Sequence, residues 1–133
     1  MSGPLAGIRI IDLTTMASGP LATAILADQG ADVIKVEGPG RGDGLRSIGP
    51  SRGGLSAIFL ALNRNKRSLV ADLRDPRGVA LLDRLVEQAD VVIQNFRPGA
   101  VERMGIAGEP LHIVDELRCA PVSVPRHAHH LPV

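Results

Sequence analysis

Two strand-sized apolar runs flank a helix-sized segment within the first 37 residues, and that order constrains the fold more than any other feature. Ile8 to Leu13 (Ile-Arg-Ile-Ile-Asp-Leu) is bounded by Gly7 and by Thr14-Thr15. A short continuous apolar run of this kind suits a strand buried on both faces. Ser18-Gly19-Pro20 supplies a helix start with proline in the first turn, and Gly30 a stop. Between them Leu21, Ala24, Ile25 and Asp28 recur at helical spacing. Ala31 to Glu37 reads as a second strand. A strand, a crossover helix and a strand make a right-handed unit with parallel strands.

The same alternation continues. Ser68 to Leu73 reads as a third strand, and Asp75-Pro76 as a helix cap followed by proline at the first helical position. Val79, Leu82, Leu85 and Val86 form the apolar face of that helix, Asp90 to Gln94 a fourth strand, and Ala100 to Met104 a short helix. Between the second and third strands, Gly38 to Gly54 carries seven glycines and reads as a long loop. Helical character returns over Leu55 to Leu62, with Ile58, Phe59 and Leu62 in a stripe. The fold class is therefore α/β, an open doubly wound, Rossmann-like parallel sheet. Residues 1–108 form its unit. Residues 109–133, with four prolines and His127, His129 and His130, lack periodicity and read as an irregular tail.

Composition narrows the function. Two Phe, no Trp and no Tyr leave no aromatic platforms for stacking bases, and a net charge of +1 gives no field for a polyanion. Nucleic acid is not an expected partner. No apolar stretch approaches the roughly 20 residues of a membrane helix, and the N-terminus lacks a signal-peptide pattern. With Cys119 as the single cysteine, a reducing, cytoplasmic setting is expected. The histidines of the tail have no acid or cysteine at ligand spacing, so no metal site is assigned.

Open α/β sheets bind ligands beyond the carboxyl ends of their strands. Arg41, Arg46, Arg74, Arg97 and Arg103 gather on the segments leaving that edge, with Arg64, Lys66 and Arg67 just before the third strand. Glycines and helix N-termini among these cations point to a phosphorylated, anionic ligand. Glu37 ends the second strand where a ribose-binding acid belongs. The first turn, however, has no G-x-G-x-x-G, and a Walker pattern is missing, which disfavours NAD and ATP.

Four ordered blocks resemble one family. Leu5 to Thr14 with Gly19-Pro20, Leu26 to Glu37, Asn63-Arg64-Asn65-Lys66-Arg67-Ser68, and Asn95-Phe96-Arg97-Pro98-Gly99 are similar to the family III CoA-transferases. The resemblance implies coenzyme A or an acyl-CoA as substrate, with no permanently bound cofactor. It implies that the loop at Met16, Ala17 and Ser18 lines the thioester end, and that Ala71 and Arg74 border the adenosine. Asn95, Phe96 and Arg103 match positions that hold pantetheine and phosphates. Where the family often has arginine after the position of Glu37, this chain has Gly38, and Arg41 substitutes from the loop.

The family's acyl-carrying aspartate lies beyond residue 133 in a full-length member, so no catalytic residue is assigned. Asp115 and the histidines do not stand in a catalytic context. The expectation is the N-terminal part of an enzyme moving CoA between carboxylic acids, cut short and binding CoA at most. The alternatives are part of an acyl-CoA racemase, or a non-catalytic CoA- or nucleotide-binding remnant. Full-length members are intertwined homodimers, so this shorter chain is expected to expose apolar surface and self-associate.

Overall fold

In the computed structural model, which describes residues 3–104 and 113–114, the core is a parallel sheet. The elements run β1 (Arg9–Asp12), α1 (Ser18–Asp28), β2 (Asp32–Glu37), a 3₁₀ turn (Gly44–Ser47), β3 (Ser51–Arg52), β4 (Leu55–Ser56) and α2 (Ala57–Leu62). Then follow β5 (Arg67–Val70), α3 (Pro76–Val86), β6 (Val91–Ile93), α4 (Ala100–Arg103) and β7 (Ile113–Val114). The strand order is β5-β2-β1-β6-β7, every pair parallel. Of the irregular tail read in the sequence, residues 113–114 form β7 beside β6, a strand that the lack of periodicity there does not announce, while its histidines, Cys119 and the boundary at residue 108 lie outside the described residues.

Successive strand residues point to opposite faces, and both faces are covered. Ile11, Leu13, Ile34, Val36 and Val92 pack with Leu82 of α3 and Val101 of α4 on one side. Ile10 and Val33 pack with Ala27 of α1 and with Ala31 on the other. Ile11 and Leu82 are fully buried. This is the open, parallel α/β sheet that the alternating pattern predicts. No described helix is long and apolar enough to cross a membrane.

Helix α3 follows its sequence signals closely. The Asp75 side chain accepts from the Arg77 N–H at 2.9 Å, Pro76 sits in the first turn, and Leu82 is the buried residue of the face. Helix α1 does not. Its buried face is Gly19, Pro20, Thr23, Ala24 and Ala27, whereas Leu21 and Ile25, expected inward, are 43% and 45% exposed. The reason is close approach: a Cβ on Gly19 would lie 2.5 Å from the Thr14 Cβ. Only small side chains fit between α1 and the sheet, so the large ones turn outward.

The glycine-rich stretch is also more ordered than its composition suggests. Asp43 caps the 3₁₀ turn, Leu45 is buried, and β3 and β4 form a small antiparallel hairpin. Helix α2 starts at Ala57 rather than Leu55 because Ser56 caps it, accepting from the Phe59 N–H at 3.3 Å. Strand β5 ends at Val70, short of the expected Leu73, and Ala71 turns away after donating to the Glu37 carbonyl at 2.9 Å.

Candidate functional site

At the carboxyl ends of β1 and β2 the sheet changes from apolar to ionic. Asp12 and Lys35 are buried there, at 0% and 2% exposure. The Asp12 carboxylate accepts from the Thr14 N–H at 2.9 Å, from the Thr14 hydroxyl, and from the Thr23 hydroxyl at 2.7 Å. Lys66 completes this cluster. Its ammonium donates to Asp12 at 2.9 Å, to the Pro20 carbonyl at 2.9 Å and to Asn63 Oδ1 at 2.8 Å. Burial holds the Lys66 ammonium below the ordinary lysine range, with the Asp12 charge opposing it. Buried charges persist only when paired in this way.

A second buried pair holds the glycine-rich stretch. Lys35 Nζ lies 2.9 Å from Asp43 Oδ2 and donates to the Thr14 carbonyl at 2.8 Å. Asp43 Oδ2 has this Coulombic partner but no aligned hydrogen bond, whereas Oδ1 accepts from the Met16 and Leu45 N–H groups. The β1–α1 turn is fixed from a third direction by Asn95, which donates to the Thr15 carbonyl at 2.8 Å and accepts from the Thr15 N–H at 2.9 Å. Thus backbone groups of Thr14, Thr15 and Met16 are all gripped by side chains. Met16 sits there at φ 66°, the left-handed region, which costs a non-glycine residue roughly 1–2 kcal/mol.

Beside this turn opens a cavity of about 230 Å³ lined by Thr15, Glu37, Gly38, Ala71, Arg74 and Phe96, among others. A second, of about 400 Å³, lies between Arg74, Pro76, Val79 and Arg103. Leu73, Arg74 and Met104 line both, so the two adjoin in one cleft region at this edge of the sheet. Its floor is apolar, and its cations stand at the rim. Arg74 is 81% exposed and forks onto the Asp72 carboxylate at 2.9 and 3.1 Å. That hydrogen bond raises Arg74 and lowers Asp72 from their ordinary values.

The residues expected at a ligand site divide accordingly. Ala71, Arg74, Phe96 and Arg103 line the cleft. Asn95 borders it through Thr15, with its amide bonded to backbone at both ends. Met16, Ala17 and Ser18 are exposed at the start of α1, and Arg41 is exposed on the loop without lining either cavity. Arg64, Lys66 and Arg67 do not join the rim: their charges go to Asp28, Asp12 and Asp32.

Glu37 does not stand open for a ribose either. Arg46 grips it at 2.9 and 2.6 Å, and the Asp43 N–H donates to it at 2.8 Å. Burial pushes the Glu37 carboxyl up, but these donors bring it below the ordinary range. Sequence reasoning missed the Lys35–Asp43 pair. A lysine inside the otherwise apolar Asp-Val-Ile-Lys-Val-Glu strand was the available signal, because it demands an acid nearby.

Comparison with known proteins points to one family. The family model of CoA-transferase family III matches residues 5–115. A succinate–glutarate CoA-transferase of Agrobacterium fabrum is 50% identical over 119 residues, covering 84% of this chain and 30% of its own length. A mouse succinyl-CoA:glutarate CoA-transferase is 47% identical over 109 residues, 81% of this chain and 25% of its own. The chain therefore spans between a quarter and a third of the length of these relatives. Among solved structures, a CAIB/BAIF family protein from Brucella suis superposes with a TM-score of 0.75 at 43% identity, over 82% of this chain and 30% of that one. With the matched residues running through every element from β1 to α4, this chain belongs to CoA-transferase family III.

Proposed function

We propose that this chain supplies the CoA-binding half-site of a CoA-transferase, an enzyme that moves coenzyme A between carboxylic acids by way of an acyl-CoA. The observation that carries the reading is the pair of adjoining cavities that share Arg74, one lined also by Ala71 and Phe96 and the other by Arg103, at the carboxyl edge of the sheet.

Each side chain suits a different part of the ligand. The Arg74 guanidinium can stack on the adenine or meet a phosphate once it exchanges Asp72 for the stronger anion. Arg103, across the second cavity, offers a bidentate fork to the phosphates. Ala71 leaves room for the flat base. Phe96 and Met104 give the pantetheine arm apolar surface, and the Thr15–Asn95 pair stands beside the path toward Met16. No residue is assigned to the acyl-carrying step, which falls to the part of the enzyme that the relatives have in addition.

Melting of the 133-residue chain with and without coenzyme A tests the proposal. A ligand at a hundred times its Kd stabilises the folded state by about 2.7 kcal/mol. Arg74→Ala and Arg103→Ala should each reduce the rise in Tm, and their combination should abolish it. An unchanged Tm in the wild type would sink the reading. Equal rises in all variants would remove these arginines from the site.

A further inference from the structure

The β1–α1 turn is a strained element held by groups outside it. Met16 adopts φ 66°, its side chain is 48% exposed, and its N–H donates at 3.1 Å to Asp43 Oδ1. Asp43 is 27 residues away in sequence and completely buried, and its own orientation is set by Lys35 at 2.9 Å. The next residue, Gly44, meets the side chain of the same methionine. A Cβ at Gly44 would lie 3.0 Å from the Met16 sulfur, so the thioether rests against the bare α-carbon of that glycine. Asp43 and its neighbour Gly42 line the cleft on one side of the turn, and Thr15 lines it next to Met16.

Backbone strain persists where the surroundings over-determine it, and of the groups around Met16 two come from one short segment, Asp43 at its N–H and Gly44 at its sulfur. We propose that Asp43 and Gly44 act as a positioning pair that sets Met16 beside the cleft, next to Thr15, Asp43 through the backbone and Gly44 by leaving room for the sulfur. The consequence for binding rests on the reading of the cleft as a CoA site: Met16 then meets the acyl end of the thioester, whereas Arg74 and Arg103 meet the nucleotide end. Loss of either positioning residue should weaken the acyl end alone.

The chain has three methionines, so labelling with methyl-¹³C methionine gives a spectrum in which Met16 is assigned by its loss in Met16→Leu. In Asp43→Ala the Met16 methyl signal should move toward the position of free methionine. In Gly44→Ala, which leaves the buried ion pair intact, it should shift without a comparable fall in Tm. Calorimetry with acetyl-CoA and with adenosine 3′,5′-bisphosphate then separates the two ends. Both variants should bind acetyl-CoA about tenfold more weakly, a loss of about 1.4 kcal/mol, and the bisphosphate as the wild type does.

A Met16 signal unmoved in both variants overturns the proposal, as does an equal loss of affinity for both ligands. Should Asp43→Ala fail to fold, Gly44→Ala decides by the same two readouts. A wild type that binds neither ligand refutes the CoA reading instead, and the methyl spectrum still decides whether Asp43 and Gly44 hold Met16.

Discussion

Arg46 lies 3.8 Å above the ring of Phe59 while its guanidinium forks onto Glu37. One side chain thus ties the end of β2 to α2 across the glycine-rich stretch, by a cation–π contact on one face and an ion pair at its edge. The Glu37 hydrogen bond raises Arg46 from its ordinary value.

The pH dependence of this tie follows from its sign. Glu37 titrates below its ordinary 4.5 in the folded chain, so it stabilises fully above that value and loses the contribution as pH falls through the folded one. Glu37→Gln should be less stable than wild type at neutral pH by about 1–2 kcal/mol, the lower part of the charge-assisted range because Arg46 is partly solvated. Urea melts across pH should show the gap narrowing below 4.5. A gap that is constant down to strong acid would contradict it.

Removing Lys66 should be more damaging than removing any rim arginine. Lys66→Met strands the fully buried Asp12 carboxylate, and breaking such a pair costs about 3–5 kcal/mol. Adding Asp12→Asn should recover part of the loss, because the orphaned charge goes with it. Chemical denaturation of the two variants is the measurement, and the double variant should be the more stable.

A glycine in a helix usually gains about 1 kcal/mol on replacement by alanine. Gly78, inside α3, should do the reverse. A Cβ there would lie 2.0 Å from the Asp72 carbonyl oxygen, which is backbone and cannot swing aside. Gly78→Ala should lose at least about 2 kcal/mol, read from urea midpoints, and should displace the Asp72–Arg74 turn that borders the cleft.

Strand β5 stands at one end of the described sheet with Val70 61% exposed. Unpaired strand edges recruit other chains unless charge or proline protects them. Val70→Lys should therefore shift the chain toward monomer in size-exclusion chromatography at equal concentration. An elution position shared by both proteins would show that this edge takes no part in self-association.

How much of this was legible depended on whether a signal was local. Asp75-Pro76 announces α3 because cap and first turn are adjacent in the chain. The apolar runs at β1 and β2 announce a sheet covered on both faces for the same reason. Leu21 and Ile25 misled because the α1 face is chosen by how near the helix comes to Thr14, which the helix sequence does not encode by itself. The hairpin after Ser47 was invisible for a similar reason. Its strands are two residues each, and its closing contacts, Ser56 to the Ile48 carbonyl at 2.6 Å and Ala57 to the Pro50 carbonyl at 2.9 Å, are tertiary rather than patterned. In the site, the exposed arginines could be placed by topology, but which cations were already spent on Asp12, Asp28 and Asp32 could not.

Asn63, Lys66 and Arg67 fasten pieces of the scaffold to one another, and none of them lines the cleft. Their work is therefore to hold the chain upright rather than to meet a ligand. A descendant that had given up its substrate altogether would still need them to stand, while Arg74 and Arg103 would be at liberty to drift. Under the proposed CoA reading, Arg74 and Arg103, rather than this block, are the positions whose loss would mark a chain that no longer binds.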